Sequence, residues 1–147
     1  MFESAHYKED IQILLSQLFE IDDNQKFYLV EVKDNDMSPT IEDGDMLAVI
    51  PITLYVKDFS DFDLKEIEER IVLVSKKGTG VDNFAKLINN FLTVPDSNET
   101  CKLRRLKKVG NKFVLLSDNR SYPSEKIDDW EIIGVAIKRK PKPQSLI

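Results

Sequence analysis

One short acidic stretch of this 147-residue chain contains side chains that could do chemistry. It contains five carboxylates, Asp34, Asp36, Glu42, Asp43 and Asp45. Carboxylate oxygens are the ligands that divalent cations prefer, but these positions lack the ligand spacing of an EF-hand loop. The single histidine, His6, has no cysteine or second histidine near it, so neither a zinc site nor a Ser-His-Asp triad can be assembled. We therefore expect no metal and no other cofactor.

The same stretch carries a sequence motif. Residues 34–46 are Asp-Asn-Asp-Met-Ser-Pro-Thr-Ile-Glu-Asp-Gly-Asp-Met, which resembles the active-site segment of the LexA and UmuD family of self-cleaving serine peptidases. That family has Gly-Asp-Ser-Met, a few residues, then Asp-Gly-Asp and an apolar strand. The positions that keep this pattern are Met37, Pro39, Ile41, Asp43, Gly44 and Asp45. Asp36 stands where the family has its nucleophilic serine.

A second part of the resemblance lies downstream. Residues 104–112, Arg-Arg-Leu-Lys-Lys-Val-Gly-Asn-Lys, are similar to the hairpin that carries the family's catalytic lysine, and Arg104 falls on the lysine position. Ser-Asp-Asn at 117–119, Tyr-Pro at 122–123 and Ile-Ile-Gly-Val-Ala-Ile at 132–137 match the family's closing pattern. The match covers roughly residues 27–137 apart from two longer loops. It implies a mainly β fold of the LexA and signal-peptidase type.

A serine–lysine peptidase needs a hydroxyl nucleophile and a lysine that is kept neutral so that it can accept the proton. Arginine stays protonated and cannot be that base, and aspartate at position 36 removes the hydroxyl. The chain also has no Ala-Gly or Cys-Gly pair, the usual self-cleavage site of the family. We therefore expect no enzyme activity. The two replacements are complementary in charge, and we expect an Asp36–Arg104 salt bridge, the alternative being that both side chains point into water.

Catalysis by neighbouring residues is an alternative. Ser38 lies two residues after Asp36, and Lys102 lies two residues before Arg104 on the same strand face. A shifted Ser38–Lys102 pair would give a self-cleaving peptidase. However, the shift breaks the alignment of the hairpin, and a serine before Pro39 more often bonds local backbone than attacks a substrate.

Composition sets further bounds. The apolar content of 41% in 147 residues is that of one ordinary domain with a core. One cysteine, Cys101, and the lack of any run of about 20 apolar residues or of a signal peptide favour the reducing cytoplasm and exclude a membrane anchor. Basic residues cluster at 102–112 and 138–142, but the net charge is −5 and no aromatic residues are interleaved among them. We therefore expect no direct nucleic-acid binding.

The pattern of apolar residues predicts the elements that position these motifs. An amphipathic helix is expected over 7–19, within an amino-terminal lead-in of residues 1–26, because Ile11, Leu14, Leu15 and Leu18 are spaced to form one apolar face. The domain itself is expected over 27–140, followed by a tail at 141–147. Strands are expected within it at Phe27–Val32, Met46–Pro51, Ile71–Ser75, Cys101–Val109, Lys112–Ser117 and Glu131–Arg139. A short turn at Gly110-Asn111 is expected to join the fourth and fifth of them.

Two segments, residues 52–70 and residues 76–100, are longer than in the resembled family. Residues 60–63 precede Leu64 and Ile67 in a pattern typical of a capped short helix. An extra helix is expected at about 81–92, with an apolar stripe of Phe84, Leu87, Ile88 and Phe91. This stripe either packs on the domain's own core, which is the commoner outcome, or binds a partner.

The resemblance implies what remains when cleavage is lost. Its domains dimerise and dock on other proteins, so we expect a catalytically inactive LexA-like or phage-repressor-like domain that serves a bacterial or phage transcription regulator as its dimerisation and partner-binding module. It would be insensitive to the cleavage signal of the SOS response. The partner would be a second copy, a full-length repressor or another regulatory protein. A UmuD-like DNA polymerase accessory subunit is a further alternative, favoured because no DNA-binding head fits before Phe27.

Overall fold

A computed structural model describes residues 14, 16–22, 25–56, 63–77 and 101–141. Within these ranges the chain forms a seven-stranded antiparallel sheet of order β1-β2-β7-β3-β4-β5-β6. The strands are β1 Tyr28–Glu31, β2 Met46–Pro51, β3 Ile71–Lys76, β4 Cys101–Val109, β5 Lys112–Leu116, β6 Glu125–Lys126 and β7 Trp130–Lys140. The described part of the molecule is therefore mainly β, as predicted.

Helical structure with described bounds is short. The helix α1 covers Ile52–Tyr55, and 3₁₀ helices cover Leu64–Ile67 and Ile127–Asp129. The first 3₁₀ helix begins at the cap predicted from the sequence. The Asp63 side chain accepts a hydrogen bond from the first turn, and the Glu66 side chain accepts one from the Asp63 backbone, which forms a capping box. No helix among the described residues is long and apolar enough to cross a membrane.

The sheet has a buried cluster on each face. One cluster includes Leu47, Leu73 and Leu103 from three strands of the sheet, together with Val30 of β1. Because β1 and β4 are separated by three strands in the sheet order, their meeting in one cluster shows that the sheet curls around it. The other face carries Val72, Val74, Leu106, Leu115 and Trp130, on which α1 and the first 3₁₀ helix pack.

The hairpin of β4 and β5 has the two-residue turn predicted at Gly110-Asn111, since Val109 pairs with Lys112. Gly110 has a φ of 64°, a conformation that favours glycine and is typical of such turns. β5 pairs with β4 from Arg105 onward, whereas Arg104 and the residues before it on β4 pair with β3 alone.

The amino-terminal segment differs from the prediction in its orientation. Residues 16–18 are helical, but Leu14 and Leu18 of the predicted apolar face are 64% and 50% exposed. Phe19 is buried instead and packs edge-on against Phe27 at 5.9 Å between ring centroids. The large aromatic surface of Phe19 sets which side of the segment faces the sheet, so the predicted face is wrong at these two leucines.

The remaining predicted elements divide into two groups. The six predicted strands are confirmed, most with a shift of one residue at an end. Among the described residues, the one strand that was not predicted is the short β6. The predicted helix at 81–92, with Phe84, Leu87, Ile88 and Phe91, lies outside the described residues, as do residues 142–147 of the predicted tail.

Candidate functional site

A buried arginine on β4 is the main feature of the predicted site. Arg104 lies on β4 opposite Val72 of β3 and is only 3% exposed. Its Nη2 donates to Asp36 Oδ2 at 3.0 Å, its Nε donates to Glu125 Oε1 at 3.1 Å, and its Nη1 donates to the Leu103 carbonyl at 2.7 Å. Every nitrogen of the guanidinium therefore has an acceptor, which a buried charge requires.

The loop between β1 and β2 delivers Asp36 to this arginine. The Asp36 amide donates to Asp34 Oδ1 at 3.1 Å, and the Asp36 carbonyl accepts from the Asn119 amide at 3.0 Å. The Asn119 side chain in turn donates to the Asn35 carbonyl at 3.0 Å. These bonds tie the loop to the turn at 117–119. The acidic stretch and the basic hairpin that were singled out in the sequence therefore meet where Asp36 contacts Arg104.

Glu125 completes the cluster and was not predicted. It lies on β6 opposite Leu115, and both of its oxygens accept from Lys102 Nζ, at 3.2 and 3.3 Å. The same Lys102 amine lies 5.1 Å from the centre of the Trp130 ring. Glu125 has no local pattern in the sequence that marks it, because its role depends on the pairing of β6 with β5.

The charges of this cluster balance. Two cations, Arg104 and Lys102, face two carboxylates, Asp36 and Glu125, through ion pairs of 3.0 to 3.2 Å. None of the four groups is a hydroxyl or thiol nucleophile, and an arginine cannot accept a proton at ordinary pH. The arrangement can hold three chain segments together.

The alternative nucleophiles are engaged elsewhere. Ser38 Oγ donates to Glu42 Oε1 at 3.0 Å, while Lys102 binds Glu125, so the structure does not join Ser38 and Lys102 in a hydrogen bond. Cys101 is buried, and burial raises the pKa of its thiol to about 12. The thiol therefore stays protonated at neutral pH, where it is a poor nucleophile.

The acidic stretch forms a turn. Asp45 is buried, and its Oδ2 accepts from the Glu42 amide at 2.8 Å and from Arg139 Nε at 2.7 Å. Gly44, with a φ of 94°, makes the turn that places Asp45 in this position. Within the described ranges, no group of three histidine, cysteine, aspartate or glutamate residues is arranged to hold a metal ion.

A second arginine pair lies on the other face of β4. Arg105 Nε and Nη2 donate to the two oxygens of Asp118 at 2.9 and 2.7 Å, and Arg105 Nη1 donates to the Glu69 carbonyl at 2.7 Å. The hydrogen bonds from Arg105 hold the pKa of Asp118 below its ordinary value, and those with Asp118 raise the pKa of Arg105. This bidentate pair fastens the turn at 117–119 to β4, the same turn that holds the Asp36 loop.

Comparison with known proteins gives no family. The chain matches no model of a protein family and no curated protein sequence.

Proposed function

We propose that this chain is a non-catalytic LexA-like domain that acts through self-association and partner binding in a bacterial or phage transcription regulator. The observation that supports the proposal most is the buried Asp36–Arg104 ion pair, because these residues occupy the positions of the nucleophile and base in the resembled family. A domain with a charge pair at these positions can still bind other proteins, but it lacks the nucleophile and base for cleavage.

The pair supports a retained scaffold because of what it joins. Arg104 contacts the β1–β2 loop through Asp36 and the short β6 through Glu125, which are far apart in the chain. Losing one member of a buried ion pair costs about 3–5 kcal/mol, so random decay of a catalytic pair would tend to destabilise the domain. A replacement of both residues by opposite charges keeps the loop attached to the sheet. This attachment is sufficient for a domain that only binds other proteins.

The two alternatives have less support from the contacts. A self-cleaving peptidase would need Ser38 near a neutral amine, whereas Ser38 binds Glu42 and Lys102 binds Glu125. A UmuD-like polymerase accessory subunit would share the self-association of the leading proposal, and it differs from it only in the partner.

Sedimentation equilibrium of the full chain over micromolar concentrations tests the proposal. We expect a mass that rises to twice that of the monomer within this range. A strict monomer at every concentration would contradict the self-association that we propose.

Self-cleavage is tested on the same preparations. The chain is incubated at pH 7 and at pH 10, where an amine base becomes neutral, and its mass is followed beside that of a Ser38→Ala control. We expect the intact mass throughout. Fragments that appear at pH 10 in the wild-type chain and are absent from Ser38→Ala would overturn the non-catalytic proposal in favour of the peptidase.

A further inference from the structure

A small cleft on the Arg105 side of β4 has features of a ligand site. Its volume is about 260 Å³. Neighbouring residues of a strand point to opposite faces, so this cleft is separate from the Arg104 cluster. Its apolar lining includes Ile41, Leu47 and Ile71, and four cationic residues also border it, namely Arg70, Arg105, Lys138 and Arg139.

Arg139 is held in place from behind. Its Nε donates to Asp45 Oδ2 at 2.7 Å, and the Asp45 side chain is only 2% exposed and does not line the cleft. Among the residues that the structure describes, the two Nη groups of Arg139 have no hydrogen-bond acceptor. A guanidinium fixed on one side presents its remaining donors in a defined direction.

Arg70 and Lys138 add charge that the described residues leave largely unpaired. Within the described ranges, the Arg70 guanidinium makes one long hydrogen bond, from Nη2 to the Ala136 carbonyl at 3.4 Å, and lies 5.9 Å from the centre of the Tyr55 ring. Lys138 is exposed and forms no ion pair within the described part of the chain. Arg105 differs from both, because Asp118 and the Glu69 carbonyl occupy its three nitrogens.

The charge around the cleft is positive on balance. The acidic residue that lines it is Glu69, whose side chain is about half exposed and pairs with Lys107 at 3.3 Å. Asp45 and Asp118, which pair with Arg139 and Arg105, do not line the cleft but must be counted with it, so four cations stand against three carboxylates. An excess of one positive charge at this place, on a protein whose net charge is −5, favours the approach of an anion.

We propose that this cleft binds a small organic anion, a carboxylate or phosphate group carried on a compact apolar body. The free guanidinium donors of Arg139 and Arg70 match the paired oxygens of such a group. The apolar floor takes the body of the ligand. The volume of about 260 Å³ lies below the roughly 300–1,000 Å³ of drug-sized sites, which limits the ligand to a small molecule or one terminal group of a larger one.

Titration of the full-length chain with phenyl phosphate, followed by calorimetry and amide chemical shifts, tests the proposal. Inorganic phosphate, which lacks the apolar body, and benzyl alcohol, which lacks the charge, are the matched ligands. We expect saturable binding of phenyl phosphate with shifts at β7 residues 136–139, and at least tenfold weaker binding of both matched ligands. Absence of saturable binding, or equal affinity for inorganic phosphate, would overturn the proposal.

Two variants locate the binding. Arg70→Gln and Lys138→Gln each remove the charge of one residue that borders the cleft, and Lys138→Gln breaks no side-chain hydrogen bond or ion pair among the described residues. Lys112→Gln makes the same charge change at the exposed start of β5, outside the cleft. We expect at least fivefold weaker binding in the first two and an unchanged affinity in Lys112→Gln. Equal weakening in all three would show general electrostatic attraction and refute a site at the cleft.

Discussion

The ion pair of Arg104 and Asp36 predicts a measurable coupling energy. Arg104→Met keeps an unbranched side chain in the sheet but removes the guanidinium, whose nitrogens bind Asp36, Glu125 and the Leu103 carbonyl. Breaking a buried pair from one side costs about 3–5 kcal/mol. The side chains of the two carboxylates keep 17% and 19% of their exposure, and Glu125 keeps Lys102, so we expect the lower end, about 3 kcal/mol.

The partner substitution is expected to cost less. Asp36→Asn keeps the size of the side chain and an oxygen that can accept from Arg104, while Arg104 retains the charge of Glu125. The loss is that of one charge-assisted hydrogen bond, about 1.5 kcal/mol. In the double variant the second substitution removes an interaction that is already lost. The cost of the double variant should therefore be smaller than the sum of the two single costs by about 1–2 kcal/mol.

Urea unfolding at pH 7 of the wild type, the two single variants and the double variant measures this cycle, provided that the denaturant slopes are equal. Lys107→Met is the matched control on the same strand, because Lys107 pairs with Glu69 where both side chains are about half exposed. It should cost less than about 1 kcal/mol. A coupling energy of zero, or an Arg104→Met no more costly than Lys107→Met, would refute the reasoning.

Two further predictions concern the sheet and the pH dependence of stability. Gly134→Ala should lower the free energy of unfolding by about 1–3 kcal/mol in urea titration. The added Cβ would lie 2.5 Å from Val49 Cγ1 and 3.1 Å from the Ile50 carbonyl oxygen. An unchanged urea midpoint would contradict this packing. Asp118→Asn should destabilise the protein at pH 7, because the Arg105 guanidinium lowers the pKa of Asp118 in the folded state. That stabilisation is present above the unfolded pKa of about 3.9 and is lost as the pH falls through the folded value, so the gap between variant and wild type should shrink from pH 7 to pH 3, and a constant gap would argue against it.

Much of the sheet could be predicted from the sequence because its signals are local. Alternating apolar residues in segments such as Ile71–Lys76 and Cys101–Val109 require only the period of a strand, and the turn at Gly110 requires only a residue that tolerates positive φ. The Asp63 cap is equally local, since its partner Glu66 is three residues away. The orientation of the helical segment near Leu14 could not be predicted from local signals. It depends on Phe19, which packs in a cluster with residues of the sheet that are distant in the sequence.

The sequence by itself determined that the acidic stretch carries Asp36 and the basic hairpin carries Arg104, two opposite charges that could be expected to pair. Only the tertiary structure decided which groups these side chains meet. Asp36 and Arg104 are 68 positions apart, Arg104 and Glu125 are 21 apart, and Asp45 and Arg139 are 94 apart. Such contacts depend on the order and register of the strands, which is set by the summed packing of the whole sheet and leaves no periodic trace near any one of these residues.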